Sequence, residues 1–244
     1  MNYQVFLTTK VNISKIKKDS GILVIEPDDY TNNEIKALKI KGYKVLAYLS
    51  VGTIEKERDW FKTYSKYKMR QLDNWPNEYY VNITKTEWKT FLIKRAVTLM
   101  QRGFSGLWLD NLDIYSEYKT KKMYTACYGI IKTLKMYTRG YIMINGGSEF
   151  LDDTLDKKYT LNILDGYTQE EVFSKIVDYS GKGTFNKQEK EDKKFYKTLI
   201  KKLVKNEIDC FLLEYTREKS LKNDIKTWCE NNKVNYYISE DVNL

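Results

Sequence analysis

The chain has 244 residues, 42% of them hydrophobic, only two prolines (Pro27 and Pro76) and no low-complexity tract, which suits one domain over 1–244 better than two small ones. It contains no histidine, which excludes Ser-His-Asp and Cys-His catalysis, removes the commonest metal ligand and leaves acid–base work to Asp, Glu, Tyr, Lys or Cys. The net charge of +9 invites a nucleic-acid reading, but the lysines are scattered along helix faces, as in 193–205, rather than gathered in one tract, and no nucleic-acid partner is expected.

Apolar runs and helical stripes alternate along the chain. Candidate strands are Tyr3–Thr8, Ile22–Glu26, Lys44–Ser50, Gly106–Asp110, Tyr141–Asn145, Ile163–Tyr167, Cys210–Tyr215 and Asn235–Ser239, most followed by a segment that can form a helix. Eight such units point to an α/β fold of the (β/α)8 TIM-barrel type. An open doubly wound sheet is the competitor, but no Gly-x-Gly-x-x-Gly or phosphate loop follows the first strand. Met1 leads at once into Tyr3-Gln4-Val5-Phe6-Leu7, so no signal peptide is expected, and no apolar run is long enough to span a bilayer. In the long connection from Val51 to Ile83, Tyr79-Tyr80-Val81 reads as a short extra extended piece, and such connections tend to build a cleft. The clearest helix opens on a capping box, Thr84-x-x-Glu87, runs through Trp88, Phe91, Leu92, Ala96, Leu99 and Met100, and is followed by Gly103. Cys127 and Cys229 fall on apolar helical stripes and Cys210 opens a strand; none has metal-ligand spacing, and all three read as buried structural thiols. Little chain remains after the eighth strand, so a final helix is expected to be very short or missing.

The most informative stretch is Gly103-Phe-Ser-Gly-Leu-Trp-Leu-Asp110-Asn-Leu-Asp113, an apolar run ending in two carboxylates. In parallel α/β folds that end of a strand is where ligands bind, and buried acids without a partner or a task are rare. Other strand ends carry similar groups: Glu26 and Asp28 after the second, Glu55 after the third, Asn145 at the fifth, Glu170 after the sixth and Glu214 in the seventh. Aromatics lie among them, namely Tyr30, Tyr48, Trp60, Trp108, Tyr115, Tyr167 and Tyr215. Carboxylates with flat aromatic faces and no nucleotide loop fit glycoside cleavage, where one acid protonates the leaving oxygen and another acts as nucleophile or base. On this reading Asp28, Glu55 and Trp108 join the substrate site. The plainer alternatives are that Asp113 caps a helix, that Glu170 and Glu171 open an exposed helix, and that Tyr48 and Trp108 are core. Asp110 is the hardest to dismiss in this way.

Five blocks then resemble one family in order. Val45-Leu-Ala-Tyr48-Leu-Ser-Val-Gly52 with Glu55, Arg58 and Trp60 is similar to the "YLSVGE…R…W" block of glycoside hydrolase family 114, the endo-α-1,4-polygalactosaminidases, with the related spherulin-4-like proteins and the hydrolase domain of the Pel polysaccharide system. Gly103-Phe-x-Gly-Leu-x-Leu-Asp110-Asn-x-Asp113 is similar to its "GFDGVFLDNVD", Asn145-Gly146 to its strand-five Asn, Asp165-Gly-x-x-x-Glu170 to its "DGVxxE", and Glu214-Tyr215 to its late "EY". The resemblance implies a (β/α)8 barrel that hydrolyses α-1,4-linked galactosamine polymers, with no metal and no organic cofactor. It implies Asp110 as nucleophile or base, Glu170 as general acid, and Asp113, Asn145, Tyr48 and Tyr215 as positioning groups. Thr53 departs from the pattern where the family often has Glu. The family is usually exported, which suggests an extracellular exopolysaccharide-degrading role despite the lack of a leader. A cationic polysaccharide is the expected partner, and the expected protein is a monomer. A catalytically silent sugar-binding barrel and a basic nucleic-acid-binding protein are the alternative readings.

Overall fold

The structure, a computed structural model, describes residues 2–157, 159 and 161–244. Eight parallel strands follow one another around a nearly closed barrel, each hydrogen-bonded to the next: β1 (Asn2–Phe6), β2 (Gly21–Ile25), β3 (Tyr43–Ser50), β4 (Gly106–Asp110), β5 (Tyr141–Asn145), β6 (Gly166–Glu170), β7 (Asp209–Tyr215) and β8 (Asn235–Ser239). No ladder joins β1 to β8 among the described residues, yet the two lie side by side, with the Phe6 and Tyr237 rings 6.5 Å apart. The Leu244 carbonyl accepts the N–H groups of Leu7 at 2.8 Å and Thr9 at 3.1 Å at this seam.

Six main helices follow β2 to β7 in turn: α1 (Asn32–Ile40), α2 (Thr86–Gln101), α3 (Lys121–Thr138), α4 (Ser148–Asp156), α5 (Lys190–Lys205) and α6 (Lys219–Asn232). The period-two alternation of the strands divides the core into two layers. Ile22, Val24, Leu46, Trp108, Met143, Phe211 and Leu213 fill the barrel interior. Their strand neighbours Leu23, Ile25, Val45, Leu107, Leu109, Ile142 and Ile144 face the helices, against apolar stripes such as Met123, Cys127, Ile130, Ile131 and Leu134 of α3. All three cysteines are free, and all are buried as expected, Cys127 and Cys229 on their helical stripes and Cys210 in its strand. No helix among the described residues is long and apolar enough to cross a membrane.

Several sequence expectations are corrected. The sixth strand is Gly166–Glu170, not Ile163–Tyr167; Ile163 and Leu164 are buried in the turn before it. Its inward face is polar: the Thr168 hydroxyl lies 3.0 Å from the Tyr3 hydroxyl and 3.2 Å from Trp108 Nε1 inside the barrel. The expected capping box at Thr84 does not form, because the Thr84 hydroxyl donates to Asn82 and α2 starts at Thr86 without a side-chain cap. A capping box does form on α1, where Thr31 and Glu34 each accept the other's backbone N–H. The β1–β2 connection contains no helix.

Two excursions rise from the carboxyl ends of the strands. After β3, the antiparallel strands Thr53–Glu55, Lys68–Gln71 and Glu78–Val81 form a small sheet, which includes the extra extended piece read at Tyr79–Val81. After β6, Ser174–Asp178 and Thr184–Lys187 form a hairpin. Glu214, buried inside β7, accepts the N–H groups of Phe173 and Ser174 (both at 2.9 Å) and the Ser174 hydroxyl at 2.5 Å, and so anchors the root of that hairpin.

Candidate active site

The carboxyl ends of the strands and the two excursions enclose a cleft of about 790 Å³. Nine carboxylates line it, Glu26, Glu55, Glu57, Glu78, Asp110, Asp113, Glu170, Glu171 and Asp192, against the cations Arg58 and Lys175. The cleft of this basic protein is therefore locally acidic.

Asp110 and Glu170 are each the last residue of their strand, and the residue after each is left-handed: Asn111 at φ 63° and Glu171 at φ 57°. Such a conformation is costly for residues other than glycine, and here it turns the chain sharply away just beyond each acid. Gly52 makes room for the first turn, since a Cβ there would meet the Asn111 carbonyl oxygen at 1.9 Å. Glu171 is therefore not the start of an exposed helix; its carboxylate accepts the Ile176 N–H at 2.6 Å.

Asn145, at the end of β5 and 4% exposed, stands between the two acids. Its Nδ2 donates to Asp110 Oδ1 at 2.9 Å and to Glu170 Oε1 at 2.7 Å. Laid end to end, these contacts limit the separation of the two oxygens to about 5.6 Å. The Tyr215 hydroxyl donates to the other Glu170 oxygen at 2.6 Å. Burial, then the charge of Glu170, pushes the Asp110 carboxyl up to about 7. Burial also raises Glu170, against the pull of the Tyr215 and Asn145 donors. Burial on one rim raises both, and the two titrate as a pair.

Asn111 makes a second bridge. Its Nδ2 lies 3.5 Å from Asp110 Oδ2 and 3.3 Å from Glu78 Oε1, and also reaches Thr53 Oγ1 at 2.9 Å and Ser50 Oγ at 3.1 Å. Thr53, the departure from the motif, donates its hydroxyl to Glu78. Burial pushes Glu78 up to about 7. Three carboxyls thus stand in a row, Glu170, Asp110 and Glu78, with an asparagine amide between each pair.

The other sequence-derived candidates separate. Tyr48, Trp108, Tyr215, Glu55, Asp113 and Asn145 all line the cleft. Trp108 is 1% exposed and forms its floor, with Tyr48 above it at a ring distance of 6.0 Å. The Asp113 carboxyl makes no helix cap; it accepts the Gly147 N–H at 2.9 Å, and a Cβ on Gly146 (φ 63°) would strike it at 2.6 Å. Asp28 is corrected: it does not line the cleft and is held by Arg95 at 2.5 Å and Arg58 at 3.5 Å. Glu26 and Glu55 are both gripped by Arg58, whose guanidinium donates two bonds of 2.8–3.0 Å to each. Tyr30, Trp60, Tyr115 and Tyr167 lie away from the cleft lining. Glu78, Asn111, Trp75 and Tyr179 were missed. Trp75 on the first excursion and Tyr179 on the second both line the cleft and meet edge to face, with ring centroids 5.5 Å apart. Among the described residues no group of three His, Cys, Asp or Glu side chains is placed to hold a metal.

A family model described as glycoside-hydrolase family GH114 matches residues 1–240. An uncharacterized protein of Methanocaldococcus jannaschii is 26% identical over 178 residues, which is 67% of this chain and 51% of that protein. One of Thermotoga maritima is 26% identical over 95 residues, 37% of this chain and 29% of its own length. The chain thus spans about half the length, or less, of these curated relatives. Among solved structures, the glycoside hydrolase domain of PelA from Pseudomonas aeruginosa superposes with a TM-score of 0.82 at 17% identity, over 97% of this chain and 93% of that one. Aspergillus fumigatus Ega3, solved in complex with galactosamine, gives 0.75 at 17% identity, over 99% and 91%. At these identities the likeness to solved structures is one of fold.

Proposed function

The chain belongs to glycoside hydrolase family GH114, and on that premise we propose that it is an endo-acting glycosidase that cleaves α-1,4-linked galactosamine-containing polysaccharide with Asp110 as nucleophile and Glu170 as acid and base. The observation that carries this reading is the Asp110–Asn145–Glu170 arrangement, with its acid oxygens no more than about 5.6 Å apart. Carboxyls about 5–5.5 Å apart suit retention, whereas inversion needs about 6.5–9.5 Å to fit a water.

In the free site the charge of Glu170 pushes Asp110 up; in this mechanism the substrate complex holds one proton, on Glu170. A cationic sugar in the acidic cleft favours ionised Asp110 and leaves that proton where the leaving group needs it. Asp110 Oδ2, which the Asn111 amide meets only at 3.5 Å, bonds to the anomeric carbon as the glycosidic C–O bond breaks and Glu170 protonates the departing oxygen. Glu170 is then ionised, the form that its Tyr215 and Asn145 donors stabilise. It takes a proton from water, whose oxygen displaces Asp110 and restores the starting state. The acidic lining also supports a polycationic substrate over a nucleic acid, which it repels.

The test is incubation with partly deacetylated α-1,4-galactosamine polymer, with product size, linkage and first-formed anomer analysed by mass spectrometry and NMR. Asp110→Asn and Glu170→Gln, each nearly isosteric, are expected to lower turnover by at least about a thousandfold with the fold intact. Near-wild-type turnover in either variant removes that residue from the mechanism. A first-formed β-anomer overturns retention, and tight binding without cleavage makes the chain a sugar-binding barrel.

A further inference from the structure

Of the carboxylates around Asp110, most are already engaged. Glu26 and Glu55 share Arg58, Asp113 holds Gly147, Glu171 holds Ile176, and Glu170 is bound by Asn145 and Tyr215. Glu78 differs. One of its oxygens receives the Thr53 hydroxyl and the Asn111 amide, while no donor among the described residues takes Oε2, and the side chain lines the cleft. Its two donors are uncharged, so it is a half-buried carboxyl beside the proposed nucleophile with no ion-pair partner among the described residues, an arrangement a cationic ligand would relieve.

We infer that Glu78 is a specificity residue that binds the ammonium group of a 2-amino sugar seated on Asp110, and so selects deacetylated over N-acetylated units. The inference rests on the function proposed above and names the substrate group its site selects. The contacts through Asn111 place Glu78 Oε1 no more than about 6.8 Å from Asp110 Oδ2. An anomeric carbon poised for attack sits about 3–3.5 Å from the attacking oxygen. The substituent nitrogen on the adjacent carbon lies about 2.5 Å beyond, by ordinary bond lengths and angles. A sugar lying towards Glu78 therefore brings that nitrogen within ion-pair reach of its carboxylate. An N-acetyl group removes the positive charge and adds bulk against Thr53 and Asn111. The burial that pushes Glu78 up to about 7 also makes it responsive to such a cation, because an ammonium beside it favours its ionised form.

The experiment measures binding by isothermal titration in the Glu170→Gln protein, so that turnover is not needed. The probes are an α-1,4-galactosamine pentasaccharide and its fully N-acetylated counterpart. Adding Glu78→Gln is expected to weaken binding of the free-amine pentasaccharide about tenfold or more, as for a charge-assisted hydrogen bond, and to reduce its advantage over the acetylated one in the same proportion. Thr53→Val, which frees the Glu78 carboxyl without removing it, is expected to move the ratio in the same direction by a smaller factor, and it carries the test if the Glu78 variant fails to fold. An equal loss for both probes, no loss for either, or failure of the Glu170→Gln protein to bind either one overturns the inference. If the native protein hydrolyses neither polymer but the preference follows Glu78, the proposed function falls and this inference stands.

Discussion

Replacing Asn145 with leucine tests the centre of the site with little change of shape. Asn145 Nδ2 gives one charge-assisted bond to Asp110 and one to Glu170, and at 4% exposure the amide itself is shielded from solvent. Each such bond contributes about 1.5–3 kcal/mol to the ionised form it stabilises. One pKa unit corresponds to about 1.4 kcal/mol, so losing the donor moves the pair's last ionisation upward by roughly 1–2 units. The sign follows because a donor favours the carboxylate, and its loss favours the protonated acid. With Asp110 near 7 in the native protein, the alkaline limb of the kcat/KM profile is expected to shift towards pH 8–9. Rate at the optimum is expected to fall by about 10²–10³, because the two acids are no longer held at one spacing. The substitution also removes the buried Asn145 Oδ1, which has no hydrogen-bond partner, so the loss of fold stability is expected to be small. The assay is reducing-end release from the deacetylated polymer between pH 4 and 10. An unmoved alkaline limb with a rate within a few-fold of native refutes the bridging role of Asn145.

Other consequences can be checked directly. Arg58→Ala leaves the Glu26 and Glu55 carboxylates facing each other without a cation and is expected to cost about 3–5 kcal/mol, with part recovered by adding Glu26→Gln; a denaturant-melt loss below about 1 kcal/mol refutes this. Burial pushes Asp110, Glu78 and Glu214 up to about 7, so between about pH 4.5 and 7 the folded state binds more protons than the unfolded chain. Stability therefore falls as pH rises through that window, and Tm followed by circular dichroism is expected to be several degrees higher at pH 5 than at pH 7.5; a flat or opposite trend counts against these assignments. Exhaustive chelation is expected to leave turnover unchanged, and loss of activity restored by one added divalent metal overturns the two-carboxylate mechanism.

The barrel was legible because seven of its strands are apolar runs bounded by turns, and Asp110 was legible because it ends one of them. The sixth strand was displaced because its barrel-facing residue is Thr168, satisfied by Tyr3 and Trp108, while the apolar Ile163 and Leu164 belong to the turn before it. Local pattern reports how greasy a segment is, but not which buried polar group has found a partner 60 or 165 residues away. The same limit explains Asp28 and Glu78. Both are acids in or near strands, and only the tertiary path of the chain brings Arg95 of α2 and Arg58 of the excursion onto the first while the second enters the cleft. Tyr79–Tyr80–Val81 was read as extended, one residue short of the acid that precedes it.

The contact between Trp75 and Tyr179 has a consequence in populations. It links excursions rooted at β3 and β6, three strands apart on the rim, and no hydrogen bond or ion pair joins those excursions among the described residues. An edge-to-face pair contributes about 0.5–1.5 kcal/mol, and Boltzmann weighting of that energy leaves the contact broken roughly 7–30% of the time. A rim that parts so often admits the middle of a long polymer from the side as readily as a chain end from the front. The endo cleavage proposed above therefore needs no dedicated lid: a marginal aromatic contact, broken by thermal motion, opens the cleft often enough.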